Sequence, residues 1–252
     1  MFSMVDRAQG QVVNSHIRNN ASASPGVRSG DRNETPLAVS LILIGGGSGA
    51  GKTSVAQLLR DRLGSDRCVL IHEDDYQHHF LDWAGFDPTC FDFDNPAARD
   101  HDQLWHDLKQ LLAGGKVRVP RYSFHQHGRL KQTTLVRPAS YIIVEGLHIL
   151  HDPRIRTLAT VRVYLDVPDD IRLIRRTLRD TGRRGRTLRS VCDQYLATVR
   201  PAHRLYVAPT RGLADVVIIS ENAGLIDPWF GPSQSWMTAL LERICAQPPA
   251  SD

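Results

Sequence analysis

From residue 37 onward, short apolar runs alternate with longer stretches in which apolar positions return every three or four residues. The short runs, at 39–44, 68–72, 141–145, 160–165 and 214–219, predict strands buried in a sheet. The longer stretches, at 52–63, 98–113, 168–181, 187–206 and 234–246, predict helices. Strands and helices in alternation predict an α/β fold with a parallel sheet covered on both faces. Between them, 116–135 alternates through Val117, Val119, Tyr122 and Phe124 and predicts a β-hairpin or small flap. The chain has no internal repeat and no apolar run of transmembrane length.

Residues 1–36 break this pattern. They are rich in Ser, Asn, Arg and Gly with few large apolar groups, so they are expected to form a disordered tail ahead of one domain at 37–252. They contain no apolar core of a secretory signal. At 252 residues, 41% hydrophobic and 23% charged, the chain has the composition of an ordinary globular domain. Cys68, Cys90, Cys192 and Cys245 are widely spaced with no CxxC pair, which argues against a disulfide framework or a structural zinc site and for a reducing, cytoplasmic setting. The formal charge is only +4, but eight arginines lie between Arg172 and Arg189. A cluster facing a polyphosphate explains them as well as a nucleic-acid surface does, and no aromatic-rich RNA motif accompanies them.

Residues 41–54 read LILIGGGSGAGKTS, an apolar strand running into the P-loop pattern GxxxxGK[ST]. Gly46, Gly47, Ser48, Gly49, Ala50, Gly51, Lys52, Thr53 and Ser54 then form a phosphate site. Glycines let backbone N–H groups turn toward phosphates, Lys52 reaches the terminal phosphates, and Thr53 holds Mg²⁺. The pattern predicts nucleoside triphosphate binding.

In a sheet of this type, ligands sit beyond the carboxyl ends of the strands. After 68–72 come Glu73, Asp74 and Asp75, one of which can accept a proton from an attacking hydroxyl or hold Mg²⁺ through water, or which form a solvated turn. After 141–145 comes Glu145, a carboxylate closing an apolar strand, whose cost Mg²⁺ would answer. In 90–100, Asp92 and Asp94 alternate with Phe91 and Phe93, so the carboxylates can share a face; the same segment also reads as a helix cap with aromatic anchors. Arg172, Arg176, Arg179 and Arg183 share one helical face, and their repulsion asks for an overlying anion. Gly182 and Gly185 are expected to break that helix and free Arg184 and Arg186 as a lid; a solvated arginine face is the other reading. The histidines between His72 and His106 lack the spacing of a zinc site.

These pieces, in this order over 38–219, resemble the uridine–cytidine kinase branch of the phosphoribulokinase/uridine kinase family. After the P-loop comes an FDxPxAxD segment (Phe93-Asp94-Asn95-Pro96-Ala97-Ala98-Arg99-Asp100). A PxYxFxxHxR hairpin follows, with Pro120, Tyr122, Phe124, His127 and Arg129, then Glu145-Gly146. The lid RRxxRDxxxRGR is matched by Arg175-Arg176, Arg179-Asp180 and Arg184-Gly185-Arg186. Gln194-Tyr195 with Val199 and Pro201, and Ala214-Asp215-Val216-Val217-Ile218, complete the series.

The resemblance implies transfer of phosphate from ATP, with Mg²⁺, to the 5′-hydroxyl of uridine or cytidine. It implies Asp74 as catalytic base, Asp94 on the ribose hydroxyls, and Arg176, Arg179 and Arg186 near the sugar and phosphates, Arg179 among the catalytic groups. Tyr122, Phe124 and His127 would line the pyrimidine pocket, Gln194 would help position the ribose, and Arg184 would sit over the ATP phosphates. Thr53 and Glu145 would organise Mg²⁺. It also implies a homo-oligomer. The chain departs from the family pattern at Asp75-Tyr76-Gln77, over 78–92, and at Ser220-Glu221-Asn222-Ala223-Gly224. Other acceptors on the same fold, such as nicotinamide riboside, ribulose 5-phosphate or pantothenate, and a non-catalytic regulatory or RNA-binding P-loop protein, are the alternative readings.

Overall fold

A computed structural model describes residues 2–6, 39–88, 91–220 and 235–246. The chain begins with β1 (Phe2–Asp6), then β2 (Ser40–Gly46), α1 (Lys52–Leu63) and β3 (Cys68–His72). After α2 (His101–Leu112) come four short strands, β4 (Val117–Val119), β5 (Tyr122–Ser123), β6 (Gly128–Arg129) and β7 (Thr134–Val136). Then follow β8 (Tyr141–Glu145), α3 (Pro153–Leu158), β9 (Val161–Asp166), α4 (Asp169–Arg183), α5 (Leu188–Gln194), α6 (Arg200–Ala202), β10 (Val216–Ser220) and α7 (Ser235–Ala246).

The main sheet has the order β1-β10-β9-β2-β8-β3, parallel except for β1. Its central strand β2 is buried along its whole length, and its side chains alternate between two cores. Leu41 and Leu43 pack in a cluster with Leu104, Leu108 and Leu111 of α2. Ile42 and Ile44 pack in a second cluster with Val55 and Leu59 of α1 and Trp236, Met237, Leu240 and Ile244 of α7. Each fully buried aliphatic side chain contributes about 1.5–3 kcal/mol, which fixes the strand that carries the P-loop. Glu145, Ile44 and His72 lie level with one another across β8, β2 and β3; β8 and β3 end on that line, and β2 runs two residues past it to Gly46, paired there with β9.

The five expected strands and the expected α/β class are present, with boundaries moved by one or two residues. Four findings differ from the sequence expectation. First, residues 2–6, assigned to the tail, pair antiparallel with β10; residues 7–38 lie outside the described residues. Second, the helix expected from 98 starts at His101. Pro96 opens a short 3₁₀ turn at Pro96–Ala98 capped by Asn95, Arg99 is extended, and Asp100 caps α2 through the Gln103 N–H at 3.0 Å. Third, Gly182 does not break α4, which runs on to Arg183; Gly185, at φ +63°, is the residue that turns the chain. Fourth, 187–206 is α5 continued by π turns at Tyr195–Val199 and His203–Val207 around α6, where Pro201 has no N–H to give. Cys90 and the departure at 221–224 lie outside the described residues. No helix among those described is long and apolar enough to cross a membrane.

Candidate active site

The turn between β2 and α1 is shaped by glycines held at positive φ: Gly46 at +142°, Gly49 at +82° and Gly51 at +91°. A side chain at Gly49 would meet the Arg172 backbone carbonyl at 2.3 Å, and one at Gly47 the Arg172 guanidinium at the same distance. Only a bare backbone fits, which leaves the N–H groups at the helix start free to face phosphates. Lys52 Nζ donates to the Gly47 carbonyl at 3.1 Å, folded back over the loop. Burial lowers its pKa, against the opposing pull of Glu145, Asp74 and Glu73. Thr53 Oγ1 donates to Glu145 Oε1 at 2.9 Å, and His72 Nδ1 lies 2.8 Å from the same oxygen. That hydrogen bond raises the His72 pKa above the usual histidine value. A hydroxyl and a carboxylate beside a phosphate cradle are hard oxygen donors of the kind Mg²⁺ takes together with substrate phosphates.

Asp74 sits in the 3₁₀ turn Glu73–Tyr76 that follows β3. Its side chain is 47% exposed, open to the cleft, while Oδ1 accepts from Arg99 Nη2 at 3.1 Å and Gln77 Nε2 at 3.4 Å. Burial of its inner edge would raise its pKa. The Arg99 charge, joined by Lys52 and Arg184, overrides that and the repulsion from Glu73, and holds the carboxyl below the usual aspartate range. Glu73 is fully buried between His101, Arg99 and the His148 N–H. Burial alone would raise its pKa, but these partners bring it to about 2.

The acceptor side is an aromatic shell. Phe80, fully buried, is ringed by Trp83, Phe86, Phe91, Phe93 and Tyr122 at 4.6–6.3 Å between ring centroids. This is how 78–92 departs from the family pattern: its bulky residues make a small core under the cleft. Asp92 is a turn residue whose Oδ1 accepts from the Asp94 N–H at 3.0 Å, the cap of the following 3₁₀ turn being Asn95; Asp94 lines the cleft. The Asp94 carbonyl is fixed by His148 Nε2 at 2.6 Å. His127, the one described non-glycine residue at positive φ (+49°), stacks on Phe93 at 5.4 Å. Holding a ring in that conformation takes surrounding structure to enforce it. Arg129 supplies that support by donating to the Gln77 and Tyr76 carbonyls and to Gln103 Oε1 at 2.7, 3.1 and 2.8 Å. Asp75 accepts from the Tyr122 N–H at 3.1 Å and so anchors the hairpin. The Tyr122 hydroxyl is buried without a partner in the described structure.

Opposite lies α4. Arg172 and Arg176 are buried and satisfied largely by protein acceptors: Arg172 by the Val167 carbonyl and Asp169, Arg176 by Ser48 Oγ at 2.8 Å and Gln194 Oε1 at 2.9 Å. Gln194 Oε1 also accepts from Arg186, so its amide NH₂ is the part left for a ligand. Asp180, fully buried, faces Arg179 at 2.7 Å and Arg176 and Arg184 at 3.5 Å. The repulsion expected along the arginine face is answered partly by this one internal carboxylate. Arg184 lies 4.2 Å over the Phe124 ring and so joins lid to hairpin.

All the expected catalytic, acceptor and metal residues line one cleft of about 1380 Å³. At its floor are Ser48, Gly49, Gly51, Lys52, Thr53, Ser54 and Glu145; Gly46, Gly47 and Ala50 shape the loop behind them. Asp74, Asp94, Tyr122, Phe124 and His127 form one wall, and Arg176, Arg179, Arg184, Arg186 and Gln194 the other. The sequence reading missed Glu73, Arg99, Arg129 and Asp180 as organisers. Glu73 stands in an acidic turn, Arg99 and Asp180 in polar stretches and Arg129 in the hairpin, so none of them carries a local signal of that role.

The family model for the phosphoribulokinase/uridine kinase family matches residues 41–226. A uridine kinase from Clostridium perfringens is 39% identical over 175 residues, covering 69% of this chain and 84% of its own. A uridine kinase from Chloroflexus aurantiacus is 41% identical over 177 residues, covering 70% and 85%. Among solved structures, phosphoribulokinase from Rhodobacter spheroides superposes with a TM-score of 0.54 at 15% identity, over 77% of this chain and 75% of that one, which speaks to the fold alone. With the P-loop geometry and these matches together, the chain belongs to the phosphoribulokinase/uridine kinase family.

Proposed function

We propose that this protein is an ATP-dependent nucleoside kinase that phosphorylates the 5′-hydroxyl of uridine or cytidine, acting in the cytoplasm in pyrimidine salvage. The observation that carries the reading is one cleft in which a P-loop faces a half-open aspartate and an aromatic hairpin. Relatives named uridine kinase at about 40% identity support it.

In this reading Asp94 holds the ribose diol, whose two hydroxyls can each donate to a carboxylate oxygen. The faces of Phe124 and Phe93 and the His127 ring bound a slot for a flat base, and the orphaned Tyr122 hydroxyl gives that slot a directional partner. Asp74 Oδ2, which receives no hydrogen bond from a described residue, accepts the proton of the attacking hydroxyl. Lys52, Arg179, Arg184 and Arg186 neutralise charge on the transferred group, and the Gly46–Ser54 loop aligns the triphosphate. Thr53 Oγ1 and Glu145 would hold Mg²⁺, which when bound supplies charge neutralisation at the phosphates. Cys68, Cys192 and Cys245 are free thiols, in keeping with a reducing compartment.

The test is ADP release from ATP and Mg²⁺ over uridine, cytidine, adenosine, nicotinamide riboside, ribulose 5-phosphate and pantothenate. Stimulation confined to uridine and cytidine is the expected result. Activity on another acceptor alone would move the substrate, and silence on all six with ATP bound would overturn the enzymatic reading.

A further inference from the structure

Behind Asp74 runs a chain of buried charge. His101 Nε2 lies 2.9 Å from Glu73 Oε1, and Arg99 Nε lies 3.3 Å from Glu73 Oε2. The Arg99 side chain is 4% exposed and the Glu73 side chain fully buried. From that anchored position Arg99 points two N–H groups forward: Nη2 to Asp74 Oδ1 at 3.1 Å and Nη1 to the Phe93 carbonyl at 2.9 Å. Phe93 immediately precedes Asp94. One planar guanidinium therefore braces both carboxylates that face the acceptor, one directly and one through its backbone.

We propose that Arg99 is a positioning residue for phosphoryl transfer: braced by Glu73, it occupies Asp74 Oδ1 so that Oδ2 meets the acceptor hydroxyl, and it locks that aspartate to the turn carrying Asp94. The inference rests on the reading of Asp74 as base. A buried cation is costly to keep unless its contacts are used, and an apolar pair would hold the same segments together without one. The rigid fork is suited to the task, because a single ammonium cannot reach Glu73, Asp74 and the Phe93 carbonyl at once. The brace also has an electrostatic consequence. The titratable and charged groups around Asp74 are Arg99, Glu73, Asp75 and His72 from its own side, Tyr122 from the hairpin, Lys52 from the P-loop and Arg184 from the lid. Arg99 is the strongest of these cations, so its loss shifts the ionisation of Asp74 toward higher pH.

The experiment compares Arg99→Met, Arg99→Lys and the pair Glu73→Gln/Arg99→Met, with Asp74→Ala as control, by kcat, both KM values and the acid limb of kcat/KM for the nucleoside. Arg99→Met is expected to lower kcat on the order of 100-fold, leave KM for ATP within about twofold, and move the acid limb to higher pH. Arg99→Lys should return the acid limb close to wild type while kcat stays at least about tenfold low, because the charge is restored and the fork is not. If the lone Glu73 charge unfolds Arg99→Met, the paired variant removes both buried charges and is expected to show the same loss of kcat, with a smaller movement of the acid limb because the Glu73 repulsion goes with it. An acid limb that does not move in folded Arg99→Met, or a wild-type kcat in the paired variant or in Arg99→Lys, overturns the proposal. Near wild-type turnover in Asp74→Ala would instead overturn the assignment of the base itself.

Discussion

On the phosphate side of the cleft, residues 46–54 supply the backbone cradle, the lysine and the hydroxyl from one unbroken stretch. On the acceptor side, the groups come from several segments across 73–129 and are tied by contacts between residues 25 to 75 positions apart, such as Arg99 to Asp74, Arg129 to Gln77 and Glu73 to the His148 N–H. The two sides also differ in what holds them. The cradle rests on close packing and positive-φ glycines, so it is rigid by exclusion. The acceptor wall rests on buried ion pairs and stacked rings, whose strength depends on every partner being present. One side is the same for any triphosphate, and the other is where an acceptor is chosen.

Separate damage to the two sides would sharpen this contrast. The largest effect is expected for Asp74→Ala, with turnover reduced about 10³-fold or more and the ATP Kd, from calorimetry, within about twofold. A matching loss of ATP affinity would mean the sides are not independent. Next comes His127→Ala, expected to raise KM for the nucleoside about tenfold with KM for ATP nearly unchanged; an equal rise in both would remove His127 from the base slot.

The smallest and broadest effect is on stability against pH. Burial lowers the His148 pKa from 6.5 to about 3, and Glu73 is lowered from 4.5 to about 2. Both native values lie below the unfolded ones, so the unfolded chain takes up more protons on acidification and stability falls with pH. The His148 contribution is lost between about pH 6.5 and 3, and the Glu73 contribution between about 4.5 and 2. Thermal melting from pH 7 to 4 is expected to show a falling Tm from just below pH 6.5, flattened in His148→Asn. A flat profile in the wild type would show that the acceptor wall does not govern acid stability.

The same contrast explains what could be read from the chain. Strands β2, β3, β8, β9 and β10 and the P-loop announce themselves through local pattern, because each residue's role there is set by its neighbours in sequence. Arg99 looks like a surface residue entering a helix until the fold brings Glu73 and Asp74 around it. Asp180 follows an arginine on a polar helix face and gives no local sign that three guanidinium groups converge on it. Residues 2–6 are short and sit before a polar stretch, so their place at the sheet edge depends on β10, more than 200 residues away. Pairing at that distance leaves no period to detect.

The alignment of Glu145, Ile44 and His72 across β8, β2 and β3, with β2 running on into the P-loop, carries a last consequence. It makes the floor of the cleft a common platform from which the upper loops rise separately. The cleft-facing residues between 73 and 129 can therefore be redesigned for a new alcohol while α2, whose leucines pack on β2, and the strand termini beneath the triphosphate stay where they are. Retargeting this catalyst is a matter of grafting a wall, with its arginine brace included, onto a foundation that need not be rebuilt.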